Sequence, residues 1–312
     1  MYGDVFRDAE YVDRLIDFIR FEYRIDAKQV TSAKRGFYGE TWCLESVSDR
    51  YFIKIVYASE HKEIYKRSFH VVRHLCDNGI DFISKIVTTN TGNLYSYFDD
   101  AIVGVFHWID GDLTENDDTK IPEYRMLAKV YTVPTIGLDI PREQFSDLSS
   151  ELFYLKLESL RNRELKLLLE KNRSKIEHRA KMLKYFADLN QNDTSYFFIT
   201  HGDAGGNLIV SGDKHFIVDW DTACIAPPER DAWVMCSKAW AREAFQSALH
   251  RNGISYTLQT KRLAYYCYEF FFYYLNAFLD ASASLSVDII AVEEYLDGWI
   301  EDSINYCERH YL

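Results

Sequence analysis

Tyr11, Leu15, Ile16 and Ile19 recur at helical spacing between charged residues, so the chain opens on a predicted amphipathic helix. The rhythm then shortens. Apolar and aromatic runs at 41–44 and 51–56, broken by polar turns, predict hairpin strands across 31–56, with Gly36-Phe37-Tyr38-Gly39 as one of the turns. From Glu60 to Cys76 the spacing is helical again, with Ile64, Val71, Val72 and Leu75 on the apolar side and Asn78-Gly79 as the stop. Residues 86–89 and 94–98 predict a further hairpin around Thr91-Gly92, and Ile102 to Phe106 a buried strand. The turn Asp110-Gly111-Asp112 closes this part. Beyond it the pattern is helical as far as Tyr196-Phe197-Phe198-Ile199, and the Lys, Glu and Arg mixture from Leu155 to Tyr185 predicts an exposed helix pair. Leu263 to Leu279 reads as a buried aromatic helix, too short for a membrane span and interrupted by Glu269 and Asn276. These elements predict an α+β protein, with a small β-rich part over residues 1–109 and a larger, mainly helical part over 110–312.

Charge narrows the partners. Forty-eight acidic residues against 36 Lys plus Arg give a net charge of −12, which repels a phosphate backbone and disfavours nucleic acid, whereas a cationic small molecule suits it. Residues 219–312 hold 14 acids against 7 bases, so an acid-lined pocket is expected to draw on that segment. The six cysteines are scattered without a C-x-x-C pair, so neither a zinc knuckle nor a redox dithiol is spelled out. With no apolar signal-peptide core at the start, a cytoplasmic protein is expected, with no membrane partner. His70 and His74 lie four apart on the predicted helix, but Val71 stands where the metalloprotease pattern needs Glu, which makes them surface histidines.

The most informative stretch runs from Thr200 to Asp221. An apolar strand delivers His201-Gly202-Asp203, and Ala204-Gly205-Gly206 leads to Asn207. Apolar triplets on either side of Ser211-Gly212-Asp213 then predict a tight hairpin ending on Asp219, bringing Asp203, Asn207 and Asp219 to one mouth. Two carboxylates and an amide oxygen are hard donors that suit Mg²⁺. Phosphoryl transfer needs chiefly positioning and charge neutralisation: Asp203 fits the residue that orients the acceptor hydroxyl, and Asn207 and Asp219 fit the metal. Independently, Lys54 sits mid-strand between Ile53 and Ile55, where an ammonium needs an anionic partner. A nucleotide phosphate would serve, with Glu63, or else Glu60, from the following helix orienting the amine.

The order of these features, continued by Ala226-Pro227-Pro228-Glu229-Arg230-Asp231, resembles the aminoglycoside phosphotransferase and choline kinase family over about residues 30 to 280. Through Asp219-Trp220-Asp221 and Pro228-Glu229-Arg230-Asp231 it is most similar to the family's spectinomycin-phosphotransferase type. The resemblance implies a bilobal, protein-kinase-like fold. It implies that Lys54 contacts ATP phosphates, that Asp203 is the catalytic base, and that Asn207 and Asp219 hold Mg²⁺. Phe106, His107 and Trp108 would form the adenine hinge and Gly36 to Gly39 a short loop over the phosphates, while His201 and Asp231 would brace the catalytic loop. One residue fewer than the family's usual four separates Asp203 from Asn207, a shortening that Gly205 and Gly206 could accommodate through backbone angles closed to other residues.

On the acceptor side, Tyr265, Tyr266, Glu269, Tyr273 and Tyr274 share helical spacing. Glu269 could meet an amine and Tyr273 a sugar, with Asp221 a third candidate, although an aromatic stripe is also what a core helix shows. The expected function is transfer of the γ-phosphoryl group of ATP, or of GTP, to a hydroxyl of a small, cationic molecule of aminoglycoside or aminocyclitol type. The alternatives are a metabolite kinase of choline, homoserine or sugar type, a nucleotide-binding module without turnover, and a metal-dependent phosphoesterase.

Overall fold

The computed structural model describes residues 7–33, 39–114, 116–283, 287–298 and 300–311. The chain divides into two compact units, Met1–Pro141 with His201–Cys224, and Arg142–Thr200 with Ile225–Leu312. Residues 201–224, which the sequence groups with the helical part, thus pack with the first unit.

In the first unit, helix α1 (Ala9–Tyr23) is capped by Asp8, which accepts from the Tyr11 amide, and it buries Tyr11, Leu15, Ile19 and Tyr23. An antiparallel sheet follows, built from β1 (Gln29–Ser32), β2 (Glu40–Glu45) and β3 (Arg50–Val56). Helix α2 (Ser59–Asp77) precedes β4 (Ile86–Val87), β5 (Ser96–Phe98) and β6 (Ala101–His107). The strand order is β1-β2-β3-β6-β4, and β5 also pairs with β6. The expected hairpin across Thr91-Gly92 is therefore corrected: 86–87 and 96–98 do not pair with each other but line successive stretches of β6. Opposite Lys54 on β6 stands Gly104, where a Cβ would lie 2.6 Å from Phe69 Cζ, so the glycine lets the α2 ring approach the sheet.

Next come β7 (Asp112–Leu113) and α3 (Asp117–Val130). The second unit begins with three helices, α4 (Leu148–Ser159), α5 (Arg163–Lys171) and α6 (Arg173–Asn190), where the sequence predicts a pair, and with β8 (Phe198–Thr200). The chain then forms β9 (Leu208–Ser211) and β10 (Lys214–Ile217), the predicted hairpin, which belongs to the first unit and pairs through β9 with β7. Gly111, at φ 153°, permits that crossing, since a Cβ there would lie 2.3 Å from the Val210 carbonyl oxygen. The chain re-enters the second unit at Ile225, within β11 (Cys224–Ala226), and completes it with α7 (Glu229–Ala232), α8 (Ala239–Arg251), α9 (Thr260–Ala283), α10 (Ile289–Asp297) and α11 (Glu301–Tyr311). Helix α9 is the predicted aromatic helix and is the core of this unit, burying Tyr265, Tyr266, Tyr268, Phe271 and Phe272. Among the described residues no helix is long and apolar enough to cross a membrane.

Candidate active site

Lys54 is 7% exposed, as its place in the middle of β3 demands. Its ammonium donates to Asp219 Oδ1 at 2.8 Å and to Asp221 Oδ2 at 2.6 Å, and lies 4.4 Å from the centre of the Tyr65 ring. Burial alone would lower the Lys54 pKa, but the two carboxylates override it and hold the amine protonated, well above its ordinary value. Asp219 is partly exposed, and Lys54 outweighs the effect of its burial and holds its carboxyl below the usual range. Asp221 is more enclosed, and burial pushes its carboxyl up.

The expected glutamate does not complete this group. Glu63 is exposed and accepts from Lys66 at 2.6 Å, and Glu60 is also exposed, accepting from Ser59 at 3.2 Å. Helix α2 buries Tyr65, Ser68, Phe69, Val71, Val72 and Leu75, so of the expected apolar side only Ile64, which is 39% exposed, is left out. Tyr65 therefore meets Lys54 from the helix, and the carboxylates come from the end of the hairpin.

Strand β10 stops at Ile217, and Val218 donates its amide to the Asn207 carbonyl at 2.9 Å, closing the base of the hairpin. Asp219 then adopts φ 64° and ψ 68°, uncommon for a residue with a side chain. That left-handed step, followed by a 3₁₀ turn over Trp220–Thr222, turns both Asp219 and Asp221 onto Lys54. Asp221, grouped by the sequence with the acceptor residues, thus sits at the lysine.

His201, fully buried, organises the loop before the hairpin. Its Nδ1 accepts from the Asp203 amide at 3.2 Å, which leaves Nε2–H to donate to the Val218 carbonyl at 2.9 Å, while Thr222 donates to the His201 carbonyl at 2.6 Å. One imidazole thereby ties Asp203 to the residue preceding Asp219. The shortened loop forms a 3₁₀ turn over Ala204–Gly206, with the Asn207 amide returning to the Ala204 carbonyl at 3.0 Å. Positive φ occurs at Gly202 (84°), so the glycine freedom expected at Gly205 and Gly206 is used earlier. Asn207 Nδ2 donates to the Asp203 carbonyl at 2.7 Å and to Asp203 Oδ2 at 3.1 Å, leaving the amide oxygen as the cation-binding end.

A divalent cation fits the residues present. The donor set is oxygen only, Asp219 is partly open to solvent, and Asp221 Oδ1 is buried with no hydrogen-bond partner among the described residues. An unpaired carboxylate oxygen beside an exposed one is what a hard ion would satisfy.

The other expected residues are placed as follows. Phe106 is buried against Phe52 and Phe69. The His107 and Trp108 amides donate within the sheet, to Lys85 and Arg50 carbonyls at 2.9 and 3.0 Å. Gly39 lies at the start of β2, where a Cβ would lie 2.6 Å from the Ile55 carbonyl oxygen; Gly36 falls outside the described residues. Asp231 is half-buried in α7, in the second unit. In that unit Glu269 accepts from Ser149 Oγ at 2.6 Å, and burial pushes its carboxyl up to about 7. Tyr265 and Tyr266 are core, whereas Tyr273 is 43% exposed. Glu143, which the sequence reading missed, accepts from the Tyr266 hydroxyl at 3.0 Å and is a charged neighbour of Glu269. His70 is exposed, and His74 hydrogen-bonds the Pro134 carbonyl at 2.7 Å.

The β3 lysine, the carboxylates that follow the hairpin and the His201-Gly202-Asp203 loop together make up the candidate active site. The phosphotransferase enzyme family matches residues 29–266, and the chain belongs to that family. Its N-terminal antiparallel sheet followed by a mainly helical part is the protein-kinase-like fold of these enzymes. The chain is similar in structure to spectinomycin phosphotransferase APH(9)-Ia in complex with ADP and spectinomycin, at 18% identity and a TM-score of 0.77, covering 94% of this chain and 98% of that one. The amicoumacin kinase hAmiN in complex with AMP-PNP, Ca²⁺ and Ami has a TM-score of 0.61 at 14% identity, covering 97% of this chain and 96% of that one. A choline kinase from Cryptosporidium parvum has a TM-score of 0.57 at 12% identity, covering 96% of each chain. No curated protein matches the sequence.

Proposed function

We propose that this phosphotransferase moves the γ-phosphoryl group of ATP to a hydroxyl of a small, cationic molecule of aminocyclitol or aminoglycoside type. The observation that carries the nucleotide half is the buried Lys54 ammonium shared by Asp219 and Asp221, a cation already charged and held where anionic oxygens are the natural partners. Similarity to structures holding ADP or AMP-PNP supports the same reading.

In this mechanism Lys54 steadies the phosphate oxygens. Asp219 and Asn207, with the unpaired oxygen of Asp221 beside them, would hold Mg²⁺, which when bound neutralises the charge that develops on the transferred group. Asp203, anchored by His201 through its amide and by Asn207 through its carboxylate, accepts the hydrogen bond of the acceptor hydroxyl and orients its oxygen for in-line attack. With the His107 and Trp108 amides committed, and the His107 carbonyl accepting from Ser84 Oγ at 2.7 Å, adenine contacts fall to the Trp108 carbonyl or to later residues.

The cationic acceptor rests on the acidic surplus after residue 219 and on Glu143 and Glu269. An amine beside Glu269 would recover the charge that burial suppresses, adding a favourable contact only cationic acceptors make.

The test is ATP consumption and product phosphorylation across aminocyclitols, aminoglycosides, choline, homoserine and neutral sugars. Turnover is expected with a cationic acceptor, and Asp203→Asn is expected to lower kcat about 10²- to 10⁴-fold while nucleotide affinity stays unchanged. Turnover confined to neutral sugars removes the acceptor assignment, and an unaltered Asp203→Asn rate removes the mechanism.

A further inference from the structure

Cys236, Cys267 and Cys307 are separated by 31, 40 and 71 residues, and no spacing in the sequence connects them. In the second unit they converge. Cys236 comes from the turn after α7, Cys267 from the middle of α9 and Cys307 from α11. Their sulfurs lie 4.0, 3.9 and 4.0 Å apart, and each residue is at most 1% exposed. A lone buried cysteine is an ordinary small apolar residue, and two in contact pack without further purpose. Three in an almost equilateral triangle enclose one point, and with such sides that point is about 2.3 Å from every sulfur, the length of a metal–thiolate bond.

We propose that this triangle binds one soft, thiophilic cation, monovalent copper, in the plane of the three sulfurs. The donor count selects the metal. No His, Asp or Glu joins the three cysteines among the described residues, whereas structural zinc takes four ligands in a tetrahedron. Soft thiolates without a fourth donor match monovalent copper. Binding Cu⁺ with all three sulfurs as thiolates releases three protons to solvent and leaves a site of charge −2. The Arg242 guanidinium, which donates to the Cys236 carbonyl at 2.5 Å, offsets part of that charge. The metal would fasten the C-terminal helix α11 to α9, the helix that carries Glu269.

The experiment is an anaerobic titration of the whole, demetallated chain with Cu⁺ against a chromophoric copper(I) chelator, followed by X-ray absorption on the loaded protein. One equivalent per chain, with three sulfur neighbours at about 2.3 Å, is the expected result. Cys267→Ala should weaken binding at least about 100-fold, and Cys43→Ala, in the first unit, should leave it unchanged. The absorption measurement uses unsubstituted protein, so it decides the matter even where Cys267→Ala fails to fold. Failure to take up copper, two or four donors in the absorption spectrum, undiminished affinity in Cys267→Ala, or preferential uptake of zinc at a four-ligand site would each overturn the proposal.

Discussion

Lys54→Met removes the one ammonium on which Asp219 and Asp221 meet. Two carboxylate oxygens that share a nitrogen at 2.8 and 2.6 Å lie within about 5.4 Å of each other, so without the lysine they face as like charges. At an effective dielectric of about 20 that repulsion is about 3 kcal/mol. Asp221 is the partner that matters more, because its side chain is 17% exposed against 46% for Asp219, which water screens. Breaking a buried pair by removing one partner costs about 3–5 kcal/mol, so Lys54→Met should fall in that range or slightly below it. The double variant Lys54→Met with Asp221→Asn removes the stranded charge along with its partner and should regain at least half of the loss. Urea unfolding of the wild type, both single variants and the double variant, in a chelating buffer, gives all the terms of the cycle. A double variant less stable than Lys54→Met, or a Lys54→Met loss below about 1 kcal/mol, would refute the idea that the lysine holds these carboxylates together.

Two further outcomes follow from other contacts. Glu63→Gln touches only an exposed pair with Lys66, so phosphoryl transfer should stay within about twofold of wild type in a steady-state assay, and a tenfold loss would return Glu63 to the site. Glu229 is fully buried, accepts from Tyr256 Oη at 2.8 Å and from the Gln259 amide at 2.6 Å, and burial pushes its carboxyl from an ordinary 4.5 up to about 7. The folded state therefore keeps this proton where the unfolded chain loses it. The contribution to stability is full below about pH 4.5 and is lost as pH rises through about 7, amounting to about 3 kcal/mol. Unfolding free energies of wild type and Glu229→Gln measured between pH 4.5 and 8 should converge or cross by that amount, and a constant difference would contradict it.

How much of this was legible in the sequence depends on which physical constraint each residue obeys. The hairpin at 208–217 was legible because apolar triplets around Ser211-Gly212-Asp213 leave few other foldings, and the charged end of that hairpin had to carry Asn207 and Asp219 together. Lys54 was legible as a cation in need of a partner because a strand fixes which face its side chain takes. The three-cysteine cluster was not legible, since helices α9 and α11 meet through tertiary packing that no local spacing encodes.

The identity of the lysine's partner shows where the limit falls. A helical pattern tells which residues share a face, but it leaves the rotation of the helix to competition between neighbouring stripes. Of the expected apolar side, Val71, Val72 and Leu75 are buried, but Tyr65, Ser68 and Phe69 extend the buried face away from Ile64, which is left at its edge. The aromatic pair prevails because Phe69 fits the space that Gly104 leaves on β6 and Tyr65 covers the ammonium, whereas Ile64 gains no such contact and stays exposed. With α2 so turned, Glu60 and Glu63 point to solvent, and the anionic partners of Lys54 come instead from the left-handed turn at Asp219. On the proposed mechanism, nucleotide phosphates and Asp219 would compete for one ammonium, so ATP binding would loosen the Lys54–Asp219 contact and free that carboxylate for the cation, loading lysine and metal site together rather than in sequence.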